Sequence, residues 1–153
     1  MSVRTFQTLE ELQALTGQEV AVSDWLTITQ EQVNQFAQAT GDHQWIHVDV
    51  EKAKAGPFGG PIAHGFLTLS LLPRFFDETI HVVQSRMGVN YGLNKVRFMA
   101  PVPVGSRLRC RMKLLKCEPI DNSGMQLSWE CTIEREGSPK PVCVAESIAR
   151  RYP

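Results

Sequence analysis

Two aspartates and two histidines crowd into the run Gly41-Asp42-His43-Gln44-Trp45-Ile46-His47-Val48-Asp49. A carboxyl group and an imidazole can hold one water between them and trade protons near neutral pH. Asp42 and His47 stand five residues apart in a loop-like stretch, close enough to flank one water. The residue types alone leave an inert, solvated loop equally open. Metal binding is the next reading. His43 and His47 have the i, i+4 spacing of zinc ligands on a helix. Against it, Gly41 has just ended a helix, no Glu lies between the two, and no third ligand is evident. Nucleophilic catalysis lacks its turn, because no G-x-S-x-G is present. The Gly-rich run Gly56 to Gly60 lacks the Lys-Ser/Thr that a phosphate loop needs. Cys110, Cys117, Cys131 and Cys143 form no C-x-x-C pair and read as small buried hydrophobes in a reducing compartment.

The elements that hold the Asp42–His47 run are legible in outline. Phe6 to Leu15 reads as a short helix with Gly17 as its stop, and Val20 to Ile28 as a strand. Thr29-Gln30-Glu31-Gln32 reads as a capping box, opening a helix that carries Val33, Phe36 and Ala37 and ends at Gly41. After the breaker Gly56-Pro57-Phe58-Gly59-Gly60-Pro61, a helix from Ile62 to Phe76 is apolar all round and is expected to be buried, with Pro73 kinking or shortening its end. The period then changes to two. Arg107 to Leu114 and Met125 to Glu134 alternate as half-buried strands, and Val89 to Phe98 and Val142 to Arg150 supply two more. Asp121 to Gly124 and Gly137 to Pro139 are the turns between them. The sum is an α+β layer architecture in which an antiparallel sheet wraps one apolar helix.

The chain has 153 residues, 42% hydrophobic and 21% charged, the make-up of one globular domain over 1–153. No stretch approaches the roughly 20 apolar residues of a membrane span. The start, Met1 to Gln7, lacks the apolar region of a signal peptide, so a cytoplasmic home is expected. Net charge is zero, yet residues 1–76 hold 4 basic and 8 acidic groups and residues 77–153 hold 12 and 8. Such balance disfavours nucleic acid. The basic half either receives one small polyanionic ligand or is simply a solvated strand face.

Asp42-x4-His47-x-Asp49 and Phe58-Gly59-Gly60-Pro61-Ile62-Ala63-His64-Gly65-Phe66-Leu67 resemble the signature of the MaoC-like family, which holds the (R)-specific enoyl-CoA hydratases. Ala39 to His47 and Tyr91 to Phe98 are similar to the branch of nodulation protein N. The likeness runs from about Trp25 to about Arg150. It implies a hot-dog fold, a long central helix wrapped by an antiparallel sheet. It also implies that Asp42 and His47 hold the catalytic water, and that the Gly65 amide donates to the thioester oxygen. An unpaired N–H at a helix start, with the dipole behind it, suits that oxygen. Gly60, His64, Asn94, Lys95 and Arg97 fall in the matching motifs and are assigned to the substrate's surroundings. His64 is expected to brace the Asp42 segment, and Lys95 and Arg97 to share a strand face toward the nucleotide end of CoA.

The resemblance further implies reversible hydration of trans-2-enoyl thioesters of CoA or acyl carrier protein to (3R)-3-hydroxyacyl thioesters. No cofactor or metal is expected, nor a membrane partner, and the chain is expected to be a homodimer. A hot-dog thioesterase or a non-catalytic thioester binder are the rivals. One departure is visible: many relatives have Asn-Pro where this chain has Gln44-Trp45, which is expected to reshape the pocket wall.

Overall fold

The computed structural model describes residues 3–153. Met1 and Ser2, part of the N-terminal stretch taken to lack a signal peptide, lie outside the described residues. In chain order the elements are β1 (Arg4–Phe6), α1 (Leu9–Gln13), β2 (Glu19–Val22), β3 (Leu26–Thr27), α2 (Gln30–Thr40), α3 (Trp45–Val48), α4 (Val50–Lys54), α5 (Gly65–Ser70), α6 (Leu72–Asp77), β4 (Ile80–Val82), β5 (Met87–Arg97), β6 (Arg107–Pro119), β7 (Met125–Arg135) and β8 (Cys143–Tyr152).

The main sheet runs β2-β6-β7-β8-β5, with β3 also on β6, and every pairing in it is antiparallel. A parallel pair, β1–β4, lies apart from it. The sheet closes over α5 and α6, the expected hot-dog arrangement. Its inner face follows from period-two patterning. Leu108, Cys110, Met112 and Leu114 of β6, with Leu127, Cys131 and Ile133 of β7, are buried, while the arginines between them face water. On that outer face Arg109 and Arg111 both bond Glu134, at 2.8 and 2.6 Å, and Arg111 also reaches Glu19. Part of the C-terminal positive charge is thus spent on the outside of the sheet. All four cysteines are free thiols buried in β6, β7 and β8.

Several expectations are corrected. Phe6 belongs to β1, and the first helix starts only at Leu9, because Thr8 takes extended backbone and its side chain accepts from the Glu11 amide. The strand Val20–Ile28 is two short pieces. Between them the Ser23 hydroxyl accepts from the Cys110 amide, replacing a backbone partner. The long helix is also two pieces. His64 has extended backbone, so helix begins at Gly65 rather than Ile62. At the far end the Ser70 hydroxyl bonds the Leu67 carbonyl and the Leu71 amide tightens onto Thr68, breaking the run at Leu71. Pro73 then sits in the first turn of α6, where its missing N–H costs nothing. Nor is the helix buried all round, for Phe66 is 69% exposed. Trp25 lies outside the core, under the Arg109 guanidinium at 4.4 Å, whereas Trp129 is buried edge-on to Phe76.

Candidate active site

Helix α2 delivers Asp42. The Thr29–Gln32 capping box fixes its start, and Gly41, at φ 85°, ends it in the left-handed conformation that glycine tolerates. The chain turns sharply there. The Asp42 carboxylate accepts from the Gln44 amide at 3.3 Å, a local turn that leaves Asp42 exposed.

His47 is not in a loop, as expected, but on the four-residue helix α3, and it is 6% exposed. Two anchors hold it. The Gln30 side chain of α2 donates to the His47 carbonyl at 2.8 Å, and the His47 ring bonds the Ile62 carbonyl through Nδ1 at 2.6 Å. A carbonyl can only accept, so Nδ1 carries the proton and Nε2 presents a lone pair, the tautomer of a general base. The Ile62 segment is itself stitched on both sides. Its amide bonds Ile46, and the Ala63 amide bonds Val102. Burial holds the His47 imidazole below the ordinary histidine value. The Ile62 carbonyl opposes this, His64 adds to it and the Asp42 carboxylate opposes it.

His64 precedes α5 and is 2% exposed. Its Nε2 lies 3.0 Å from the Asp42 carbonyl oxygen, its ring stacks on His47 with centroids 3.9 Å apart, and Phe36 of α2 packs against it at 4.8 Å. One ligating atom from each of Asp42, His47 and His64 lies within 4.8 Å of the others. His43, named in the metal reading, is exposed and outside this trio. The trio suits a divalent ion in residue type but not in aim. Its two imidazoles are 25° from parallel, so their in-plane lone pairs run side by side instead of converging.

A cavity of about 320 Å³ opens beside His47, lined among others by Phe58, Gly65, Thr68 and Phe98. Gly65 is the first residue of α5, where an N–H has no partner within the helix. A Cβ there would meet the Phe98 ring at 3.2 Å. Sequence reasoning missed Thr68. Its hydroxyl is buried with no hydrogen-bond partner among the described residues, and it lies three positions after Gly65, on the same helical face. It also missed Ile62 and Phe98, whose backbone and ring roles leave no motif.

Gly60, Asn94, Lys95 and Arg97 are not brought to this cavity. Gly60 has open space where a side chain would go. Asn94 and Lys95 fall where the β5–β8 register slips, so strict alternation does not carry from Lys95 to Arg97, and both cations are exposed. The Gln44-Trp45 departure does not reshape this wall. The Trp45 ring packs over Gly56, where a Cβ would lie 2.9 Å away, and under the Lys52 ammonium at 4.8 Å.

The family model described as "MaoC like domain" matches residues 11–131. The chain is 57% identical over 148 residues to 3-hydroxyacyl-thioester dehydratase Z of Mycobacterium tuberculosis, covering 97% of this chain and 98% of that protein. It is 44% identical over 151 residues to nodulation protein N of Rhizobium meliloti, covering 93% and 89%. Among solved structures, a monoamine oxidase regulatory protein from Archaeoglobus superposes with a TM-score of 0.77 at 24% identity, covering 100% and 99%. An (R)-hydratase from A. caviae superposes at 0.68 and 21%, covering 90% and 96%; both show the shared fold. With an antiparallel sheet over its helices, a family match over most of its length and a 57% identical relative covered almost end to end, the chain belongs to the MaoC-like dehydratase family.

Proposed function

We propose that the protein is a hydratase/dehydratase acting on trans-2-enoyl and (3R)-3-hydroxyacyl thioesters. One observation carries the reading. His47 is buried with Nδ1 committed to Ile62, which leaves Nε2 a free lone pair; one of its ring nitrogens lies within 4.8 Å of an Asp42 carboxylate oxygen, at the wall of a cavity that Gly65 also lines. In the hydration direction water oxygen bonds C3 and gives a proton to His47 Nε2. Electron density moves to the thioester oxygen, which the Gly65 amide receives. C2 takes a proton from the Asp42 carboxyl, and proton return from His47 to Asp42 restores the pair. Dehydration, the activity in the name of the 57% identical relative, is the same path reversed.

Other parts of the reading rest on further features. Strand β5 pairs with β8 alone, and its open edge carries exposed Met87, Val89, Tyr91 and Leu93 beside exposed Phe66 and Phe98. We infer a homodimer joined along β5. A groove of about 470 Å³ between α5, α6 and β5, lined by Leu69, Leu72, Pro73, Tyr91 and Leu93, would then be roofed by the partner and take the acyl chain. Lys95 and Arg97 would meet the CoA phosphates from that edge. No helix among the described residues is long and apolar enough to cross a membrane, which leaves β-barrels unaddressed. The four free thiols favour a reducing, cytoplasmic home.

The test is loss of enoyl absorbance on a series from crotonyl- to dodecenoyl-CoA, with chiral analysis of the product. Asp42→Asn and His47→Gln are each expected to lower kcat by about 10²–10⁴-fold while keeping the circular dichroism of the wild type. Their combination should cost little more than either alone. Free thiol release in place of hydration would make the protein a thioesterase, and near-wild-type turnover in either variant would remove the pair from the chemistry.

A further inference from the structure

We propose that His64 is a positioning residue, holding the Asp42 turn through Nε2 and the His47 ring through its face so that carboxyl group and base meet in one geometry. The inference rests on the hydratase reading of the site. Its observations are separate from the cavity. His64 Nε2 faces the Asp42 carbonyl at 3.0 Å, and because a carbonyl only accepts, Nε2 must carry the ring's proton. That bond is the contact that ties the Asp42 turn, otherwise exposed, to the start of α5. Nothing in the local turn at Asp42–Gln44 supplies it.

The face of the same ring does a second job. It lies 3.9 Å from the His47 ring and nearly parallel to it, with Phe36 closing the other side. Two imidazolium charges at that distance, both away from water, repel strongly, so a proton on one ring is resisted by the other. The groups facing His47 are few. Asp42 faces it from the turn after α2, His64 from the start of α5 and the Ile62 carbonyl from the segment before it, while Gln30 of α2 holds its backbone. Of these only His64 can add a positive charge. It therefore helps to keep His47 in the neutral form that accepts a proton from water. Its Nδ1 is buried without a partner among the described residues. His64 need not touch the substrate to do either job.

Two substitutions separate the functions. His64→Gln keeps an amide N–H that reaches the Asp42 carbonyl and loses the ring. His64→Phe keeps a ring of similar size and loses the donor. Two measurements are made on each: the titration of the His47 ring by 15N-resolved NMR, which needs no substrate, and kcat and KM against pH. His47 is expected to take up its proton at higher pH in both variants, and the acid limb of the rate profile to move up with it. In His64→Phe alone, kcat is expected to fall on the order of tenfold at unchanged KM, as the carboxyl group drifts from the productive geometry. An unmoved His47 titration in both variants would overturn the inference. So would a loss confined to KM, which would make His64 a substrate contact. Should His64→Phe not fold, the Gln variant still reports the titration. Should the wild type hydrate no enoyl thioester, the functional reading fails while the NMR arm still decides whether the two rings are coupled.

Discussion

Asp42 and His47 meet because two unrelated devices converge, a glycine-terminated helix and a carbonyl that catches an imidazole. The pH behaviour of the site comes from the second. With burial holding the His47 imidazole below 6.5, the base is uncharged at neutral pH and gains its proton only as the solution turns acid. The acid limb of the hydration profile, kcat/KM followed from pH 4.5 to 8.5, should therefore have its midpoint below 6.5. The stability sign runs the same way. Below 6.5 the unfolded chain binds a proton at His47 before the folded one does, so stability is lost as pH falls through that range, and a chemical-denaturation series should show it less in His47→Gln. The pair itself was legible in the sequence, because D-x4-H is a local spacing that the family motif fixes. The stack of His64 on His47 was not, since it depends on where a segment 17 residues later is stitched between α3 and Val102.

At the scale of elements, what is encoded within a few residues was readable. The capping box at Thr29, the Gly41 stop and the alternation of β6 and β7 all appear as expected. What depends on distant partners was not. The break at Leu71 needs the Ser70 hydroxyl to compete with the helix, and the extended backbone at His64 needs the bridge from Ile62 to Pro103. The break also shortens the helix behind the amide proposed to receive the thioester oxygen. With only six residues in α5, the unpaired N–H of Gly65, rather than a long helix dipole, is what the site offers. Gly65→Ala tests the close approach. At the first position of a helix alanine is readily accommodated by the backbone, so the fold should be kept, as checked by circular dichroism. The new Cβ nevertheless presses on Phe98 at 3.2 Å and pushes that ring into the cavity. Activity is expected to drop about tenfold or more, up to the roughly 10²–10³-fold of losing an oxyanion donor, and Phe98→Leu to restore part of it. A Gly65→Ala enzyme with full activity would show that the ring yields freely.

For the molecule as a whole, the open β5 edge predicts assembly. Leu93→Asp places a charge in that edge and should shift the particle seen by light scattering from a dimer toward the 17.2 kDa chain at micromolar concentration. A wild-type monomer under those conditions would rule the dimer out. The exposed cations near the same edge make a separable claim. Lys95→Ala with Arg97→Ala should raise KM for CoA thioesters with little change in kcat, less so at high salt, and should leave a pantetheine thioester unaffected. Equal losses on both substrates would show that the two residues do not read the nucleotide.

The interior thiols give the folded chain a built-in clock. Burial pushes Cys117 and Cys143 up to about 11, and Cys110 is raised as well, chiefly by the neighbouring Cys131 thiol. Protonated and walled in, these sulfurs are poor nucleophiles in the intact molecule. They sit on three neighbouring strands that must separate before a reagent reaches them. Colour development with a disulfide reagent should then be governed by how often the sheet opens, not by reagent chemistry, so the same assay that counts four thiols in denaturant times the opening of the native sheet in its absence.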